Sequence, residues 1–188
     1  MTGWLDTIFC EDCRRGMDRI PDGGVDLVVM DPPYNLDTNG GGAFGPTNRP
    51  YHRELVPLSE GIDNELLDTI CRKMSAINLY VWCNKGQLRQ YIDYFEDRGC
   101  LTDLLAWHKT NPTPMCNNKY LSDTEYLLFF REPGVKLYGT YETKRKWYVT
   151  PTNRADRERY GHPTVKPLDI IRNIIGNSAP RGGGLSDP

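Results

Sequence analysis

The run Val25-Asp26-Leu27-Val28-Val29-Met30 is apolar apart from Asp26 and is stopped at once by Asp31-Pro32-Pro33-Tyr34. A continuous apolar stretch of that length predicts a strand covered on both faces, the signature of a central strand in a parallel sheet. The rest of the chain keeps a matching rhythm. Thr7–Cys10 reads as a short strand and residues 11–20 as a helical turn. Asp63 can cap a helix over 64–75 that carries Leu66, Leu67, Ile70 and Met74 on one face. Ile77–Trp82 reads as the next strand, and Gln87–Asp97 as a helix with Leu88, Tyr91, Ile92 and Phe95 on one side. Leu101–Lys109 and Glu125–Arg131 read as two more strands, residues 132–161 as irregular and basic. Pro167 can open a last helix that carries Leu168, Ile171, Ile174 and Ile175. The alternation predicts a single α/β domain over 1–188 with helices on both faces of its sheet.

Composition narrows the function classes. A chain of 188 residues, 38% hydrophobic, can bury a sizeable core, and no apolar run approaches a membrane span. Met1-Thr2-Gly3-Trp4-Leu5-Asp6 lacks the basic and apolar regions of a secretory signal, so the expected location is cytoplasmic, in a bacterial or phage-type setting. Cys10-x-x-Cys13 has no second Cys or His pair at ligand spacing, and no metal is expected. With a net charge of −2, any nucleic-acid binding must come from a local basic surface.

Ligands of open α/β sheets bind beyond the carboxyl ends of the strands, where Asp31 stands. Two successive prolines remove two N–H donors and disfavour helical backbone before each. The Asp31 carboxylate and the Pro32 carbonyl can then each accept one hydrogen of a flat exocyclic –NH₂ group. Such amines are poor nucleophiles because their lone pair is delocalised into the ring, and two acceptors draw the nitrogen towards sp³. Tyr34 can stack on the ring that bears the amine. Pro-Pro as a plain strand stop, with Tyr34 as packing, accounts for the four residues alone equally well.

Asp31-Pro32-Pro33-Tyr34-Asn35, followed late in the chain by Gly161-His162-Pro163-Thr164-Val165-Lys166-Pro167, resembles the amino-DNA methyltransferases in the permuted order of the beta group. These transfer a methyl group from S-adenosylmethionine to adenine N6 or cytosine N4. The resemblance implies a Rossmann-like methyltransferase sheet and double-stranded DNA as partner. It places Asp31, Pro32, Pro33 and Tyr34 around the target base. It assigns Asp12, Asp31, Thr164, Lys166 and Asp187 to the cofactor, with Glu11 standing where the family has a glycine before Asp12. An Asp-Pro-Pro-Tyr start leans towards adenine. N4-cytosine is the alternative within the family, and a catalytically dead remnant that binds DNA or a partner is the alternative outside it.

The family's last helix is followed by a strand ending Asp-Pro-Phe and then a Phe-x-Gly-x-Gly loop against the cofactor. Here Gly182-Gly183-Gly184 precedes Leu185-Ser186-Asp187-Pro188, so the glycines cannot serve as that loop. The resemblance therefore implies a sheet incomplete in its C-terminal, cofactor-binding half, with weak or absent cofactor binding. The strand at 25–30 is then expected as an exposed apolar edge, covered by a second copy or by a complementary chain.

Two segments are candidate DNA contacts. Residues 36–61, rich in Gly, Pro, Asn and Thr, read as a mobile loop over the site, either a lid or a connector. Residues 134–160 occupy the place of the family's target-recognition region, and their lysines and arginines interleave with Tyr138, Tyr141, Trp147, Tyr148 and Tyr160. Lys144, Arg145, Lys146 and Arg154 there, with Lys109 beyond Trp107, are the expected phosphate contacts.

Overall fold

The apolar run becomes strand β1, Leu27–Met30, buried along its whole length. The computed structural model describes residues 4–34, 61–112, 114, 118–152, 154–161, 165–180 and 182–188. The loop expected over 36–61 thus lies, but for Gly61, outside the described residues.

Beside β1 stand β2 (Asn78–Cys83), β3 (Leu101–Lys109), β4 (Thr124–Arg131), β5 (Trp147–Thr150) and β6 (Leu185–Ser186). Among the described residues they form one sheet in the order β5-β3-β4-β2-β1-β6. β1 pairs in parallel with β2 and β6, and β3 with β5, while β4 runs antiparallel to both β2 and β3. That arrangement brings the ends of β1, β2 and β3 and the start of β4 to one edge of the sheet.

The helices are α1 (Cys13–Met17), α2 (Asn64–Lys73), α3 (Leu88–Glu96), α4 (Arg154–Tyr160) and α5 (Leu168–Ser178). One face of the sheet buries Val28, Met30, Leu79, Val81 and Phe130 against Leu67 and Ile70 of α2 and Tyr91 and Phe95 of α3. The other buries Leu27, Val29, Tyr80, Trp82 and Phe129 against Ile170 and Ile174 of α5. Stacked rings fill both layers, Phe95 on Phe130 and Tyr80 on Phe129, each pair with centroids 4.2 Å apart. Each large apolar side chain taken fully out of water stabilises the fold by roughly 1.5–3 kcal/mol. Asp63 caps α2 by accepting from Leu66 N at 2.8 Å, and its other oxygen holds Arg14 of α1 at 2.7 Å.

Several sequence expectations are corrected. Thr7–Cys10 is not a strand: it has no sheet neighbour among the described residues, Ile8 is 98% exposed, and Phe9 lies under the Arg19 guanidinium. Residues 132–161 are not wholly irregular. Trp147–Thr150 is aromatic and β-branched enough to pair with β3, and α4 follows. Helix α5 buries Ile170, Ile174, Asn177 and Ser178, whereas Leu168 at its first turn is exposed; Pro167 stands at the capping position just before it.

β1 is not a bare edge over its first half either. β6 pairs with it, Leu27 with Leu185 and Val28 with Ser186, and Gly184 O accepts Asp26 N at 2.8 Å. The glycine there answers a close approach, since a Cβ on residue 184 would stand 2.8 Å from Gly24 O. No described helix is long and apolar enough to cross a membrane.

Candidate active site

At the edge where β1 ends, Asp31 meets residues from three distant parts of the chain. Lys166, just ahead of α5, donates to Asp31 Oδ2 at 2.9 Å, to Glu125 Oε2 at 3.1 Å and to the Tyr34 hydroxyl at 3.1 Å. The Tyr34 hydroxyl donates to Glu125 Oε2 at 3.3 Å. Lys109, at the end of β3, pairs with the other Glu125 oxygen. The Lys166 ammonium also lies 5.1 Å from the centroids of the Tyr34 and Trp82 rings, close enough for cation–π attraction. Lys166 keeps 10% of its side-chain surface, Glu125 18% and Asp31 35% open to solvent. The cluster is therefore dry at its base and wet at Asp31.

Strand ends dictate this meeting. Trp107 and Glu125 are register partners on β3 and β4, and Cys83 pairs with Tyr126, so Lys109 and Glu125 emerge from one edge. Gln87, buried before α3, donates to Pro33 O at 3.3 Å and lies 3.4 Å from the Tyr91 hydroxyl. That bond turns the Pro33 carbonyl inward and fixes the backbone that carries Asp31 and Tyr34.

The electrostatics set the two carboxyls apart. Burial pushes Asp31 above the ordinary aspartate value and the Glu125 charge adds to this, against the pull of Lys166. This holds although a third of the side chain meets solvent, because the carboxyl is packed among protein atoms on its inner side. Burial also pushes Glu125 up, but Lys166 and Lys109 together outweigh it and hold Glu125 below its ordinary value. Burial, then the charges of Asp31 and Glu125, keep the Tyr34 phenol protonated far beyond its usual range. Asp187, just past β6, is raised to about 6 by its protein surroundings and by the Asp31 charge, although its surface is largely open.

The remaining expected site residues separate. Asp12 accepts from Arg14 N as the cap of α1. Lys109 belongs to the cluster and is not a free surface cation. Lys144 and Arg145 are exposed, and Lys146 pairs with Asp103. Thr164 and the Arg154 side chain lie outside the described residues. Glu125 and Gln87 escaped the sequence reading. The signal that marks Glu125 is a carboxylate at the head of a largely apolar strand.

Against known proteins, the family model for N6/N4-type DNA methylases matches residues 25–188. The chain belongs to this family. By family, it is an S-adenosylmethionine-dependent DNA methyltransferase. It is 25% identical over 199 residues to the type II methyltransferase M2.LlaDCHI of Lactococcus lactis subsp. cremoris, spanning 94% of this chain and 74% of that protein. It is 23% identical to M2.DpnII of Streptococcus pneumoniae, with the same two shares, 94% and 74%. Among solved structures it resembles M1.HpyAVI in complex with SAM, with a TM-score of 0.65 at 17% identity, over 97% of this chain and 82% of that one. That likeness establishes the Rossmann-like methyltransferase fold for the N6/N4 methylase chain.

Proposed function

We propose that this methylase transfers a methyl group to adenine N6 in double-stranded DNA, at Asp31. The observation that carries the reading is the Asp31 carboxylate, fixed at the mouth of the site with Oδ2 on Lys166 and a third of its surface open. An acceptor so placed can take a hydrogen of an exocyclic amine and, after methylation, its proton. The raised pKa of Asp31 favours that second task. An aspartate at this position, where the family's cytosine enzymes lean towards serine, supports adenine.

The donor set fits the family's cofactor. Asp31, Glu125 and Asp187 outnumber Lys109 and Lys166, and the Asp31 charge raises Asp187, so the site favours a ligand that brings positive charge. S-adenosylmethionine carries a sulfonium and an ammonium, and when bound it supplies the methyl group while its sulfur keeps the electrons of the broken C–S bond. Asp31 and Lys166 are the residues that would hold its methionine part. The amine nitrogen becomes cationic as its new bond to carbon forms, and it sheds one proton to the Asp31 carboxylate. Asp31 needs no further acid partner for this, since its open side faces water.

DNA contact is assigned to residues 134–160. Tyr138, Tyr141, Trp147 and Tyr160 are exposed there, with Arg145 stacked 5.9 Å from the Trp147 ring centroid and Arg159 5.3 Å from that of Tyr160. Rings and cations so mixed suit phosphates and unstacked bases. The deciding experiment incubates the protein with labelled S-adenosylmethionine and duplex DNA, then digests the DNA to nucleosides. N6-methyladenine that disappears in Asp31→Ala supports the reading. N4-methylcytosine moves the target to cytosine, and no product from a folded protein assigns it to binding alone.

A further inference from the structure

The two carboxylates on Lys166 have unlike surroundings. Glu125 is gripped on both oxygens, by Lys109 on one and by Lys166 on the other, and only 18% of its side-chain surface is open. Asp31 has Lys166 on one oxygen only and ends a strand next to the open mouth. A lysine with a single carboxylate partner would close into a one-to-one pair and neutralise it. We propose that Glu125 is a positioning residue for Asp31: anchored by Lys109, it holds the Lys166 ammonium between two carboxylates, so that Asp31 is oriented by the lysine yet remains a proton acceptor. This rests on the reading of Asp31 as the group that receives the amine's proton.

The chemistry requires both halves of that arrangement. An Asp31 without Lys166 would be free to rotate out of the mouth. An Asp31 that owned the whole ammonium would be a weak base and a weak acceptor. Sharing the cation with a fixed, less exposed carboxylate gives orientation without full neutralisation. The groups facing Asp31 are Lys166 ahead of α5, Tyr34 on its own segment, Glu125 on β4 and Asp187 after β6. Those facing Glu125 are Lys109 on β3, Lys166 and Tyr34. Cys83, at the end of β2, faces the Tyr34 side of the cluster.

The test needs neither DNA nor methyl donor. The side-chain carboxyl of Asp31 is followed by carbon NMR as pH is varied, in the wild-type chain, in Glu125→Gln and in Lys109→Gln. Removing the Glu125 charge gives Lys166 wholly to Asp31, and the Asp31 midpoint falls by about one unit. Removing the Lys109 charge leaves Glu125 under-neutralised, and the Asp31 midpoint rises. Opposite shifts at two neighbouring positions are not produced by general loosening, which moves both variants the same way. Shifts in one direction, or an unmoved midpoint in either folded variant, overturn the proposal. Because the titration is read without substrate, its failure leaves the methylation reading standing. A wild-type chain that methylates nothing leaves the titration result intact.

Discussion

Lys166→Met removes the one ammonium shared by Asp31 and Glu125 while keeping an unbranched stem against Trp82 and Tyr34. Breaking a buried ion pair by deleting one partner costs about 3–5 kcal/mol, because a charge is left behind without compensation. Here Glu125 retains Lys109, and Asp31 keeps 35% of its side-chain surface in water, so screening reduces the cost to about 2–4 kcal/mol. For a chain of 188 residues that is a fall in Tm of roughly 10 °C. The pH dependence fixes the cause. Lys166 lowers the pKa of both carboxyls, so both move up when it is gone. Glu125, held low in the wild type, contributes stability that is present above its unfolded pKa and is lost as pH falls through its folded value. In the Met variant both carboxyls protonate earlier on acidification, and their mutual repulsion fades. Urea unfolding at neutral pH and near pH 5 should therefore show a stability deficit that shrinks on acidification. A deficit equal at both pH values would mean that Lys166 acts through packing alone. No deficit at neutral pH would mean that the ion pairs contribute nothing.

Three further outcomes follow from the geometry. Gly139→Ala places a Cβ 1.7 Å from Asn177 Oδ1 and 2.4 Å from Thr143 Oγ1, so the 138–148 segment must shift from α5; a loss of about 1–3 kcal/mol by urea denaturation is expected. Tyr80→Phe leaves the Ser178 hydroxyl without its 2.8 Å partner inside the sheet–α5 layer and should cost about 1–3 kcal/mol by the same measurement. Lys144→Ala combined with Arg145→Ala should flatten the salt dependence of DNA binding by about two phosphate contacts, and an unchanged slope would remove this segment from the interface.

Much of the sheet was legible because its strands are written as apolar runs bounded by charges and turns. β2, β3 and β4 appear within a residue or so of their expected limits, as does α3, and α2 stops two residues short of its expected end. Thr7–Cys10 misled because β propensity without a neighbouring strand has nothing to pair with. β5 was hidden because Trp147–Thr150 is short, lies among basic residues, and is stabilised by pairing with β3 rather than by its own pattern. The site was half legible. Asp31, Tyr34 and Lys166 stand in recognisable motifs, and the structure brings them together. The pairing of Glu125 with Lys109 carries no local signature, since it arises from the register of β3 on β4 and is invisible to spacing along the chain. Gln87 looked like the first residue of a helix, and only tertiary packing turns its amide onto Pro33 O.

The short strand β6 has a consequence for how the molecule assembles. Its bond from Gly184 N to Asp26 spans 158 residues, whereas the contact between His108 and Thr124 at the β3–β4 turn spans 16. Loop-closure entropy grows as the logarithm of length, so the β1–β6 seam costs about 2 kcal/mol more to close than the hairpin. The hairpin and β2 can form early, while the seam at the start of β1 has to wait for nearly the whole chain. In pulse-labelled hydrogen exchange, the Asp26 and Leu27 amides should gain protection later than those of β4. The strand that leads into Asp31 is then held on both sides only once nearly the whole chain is in place.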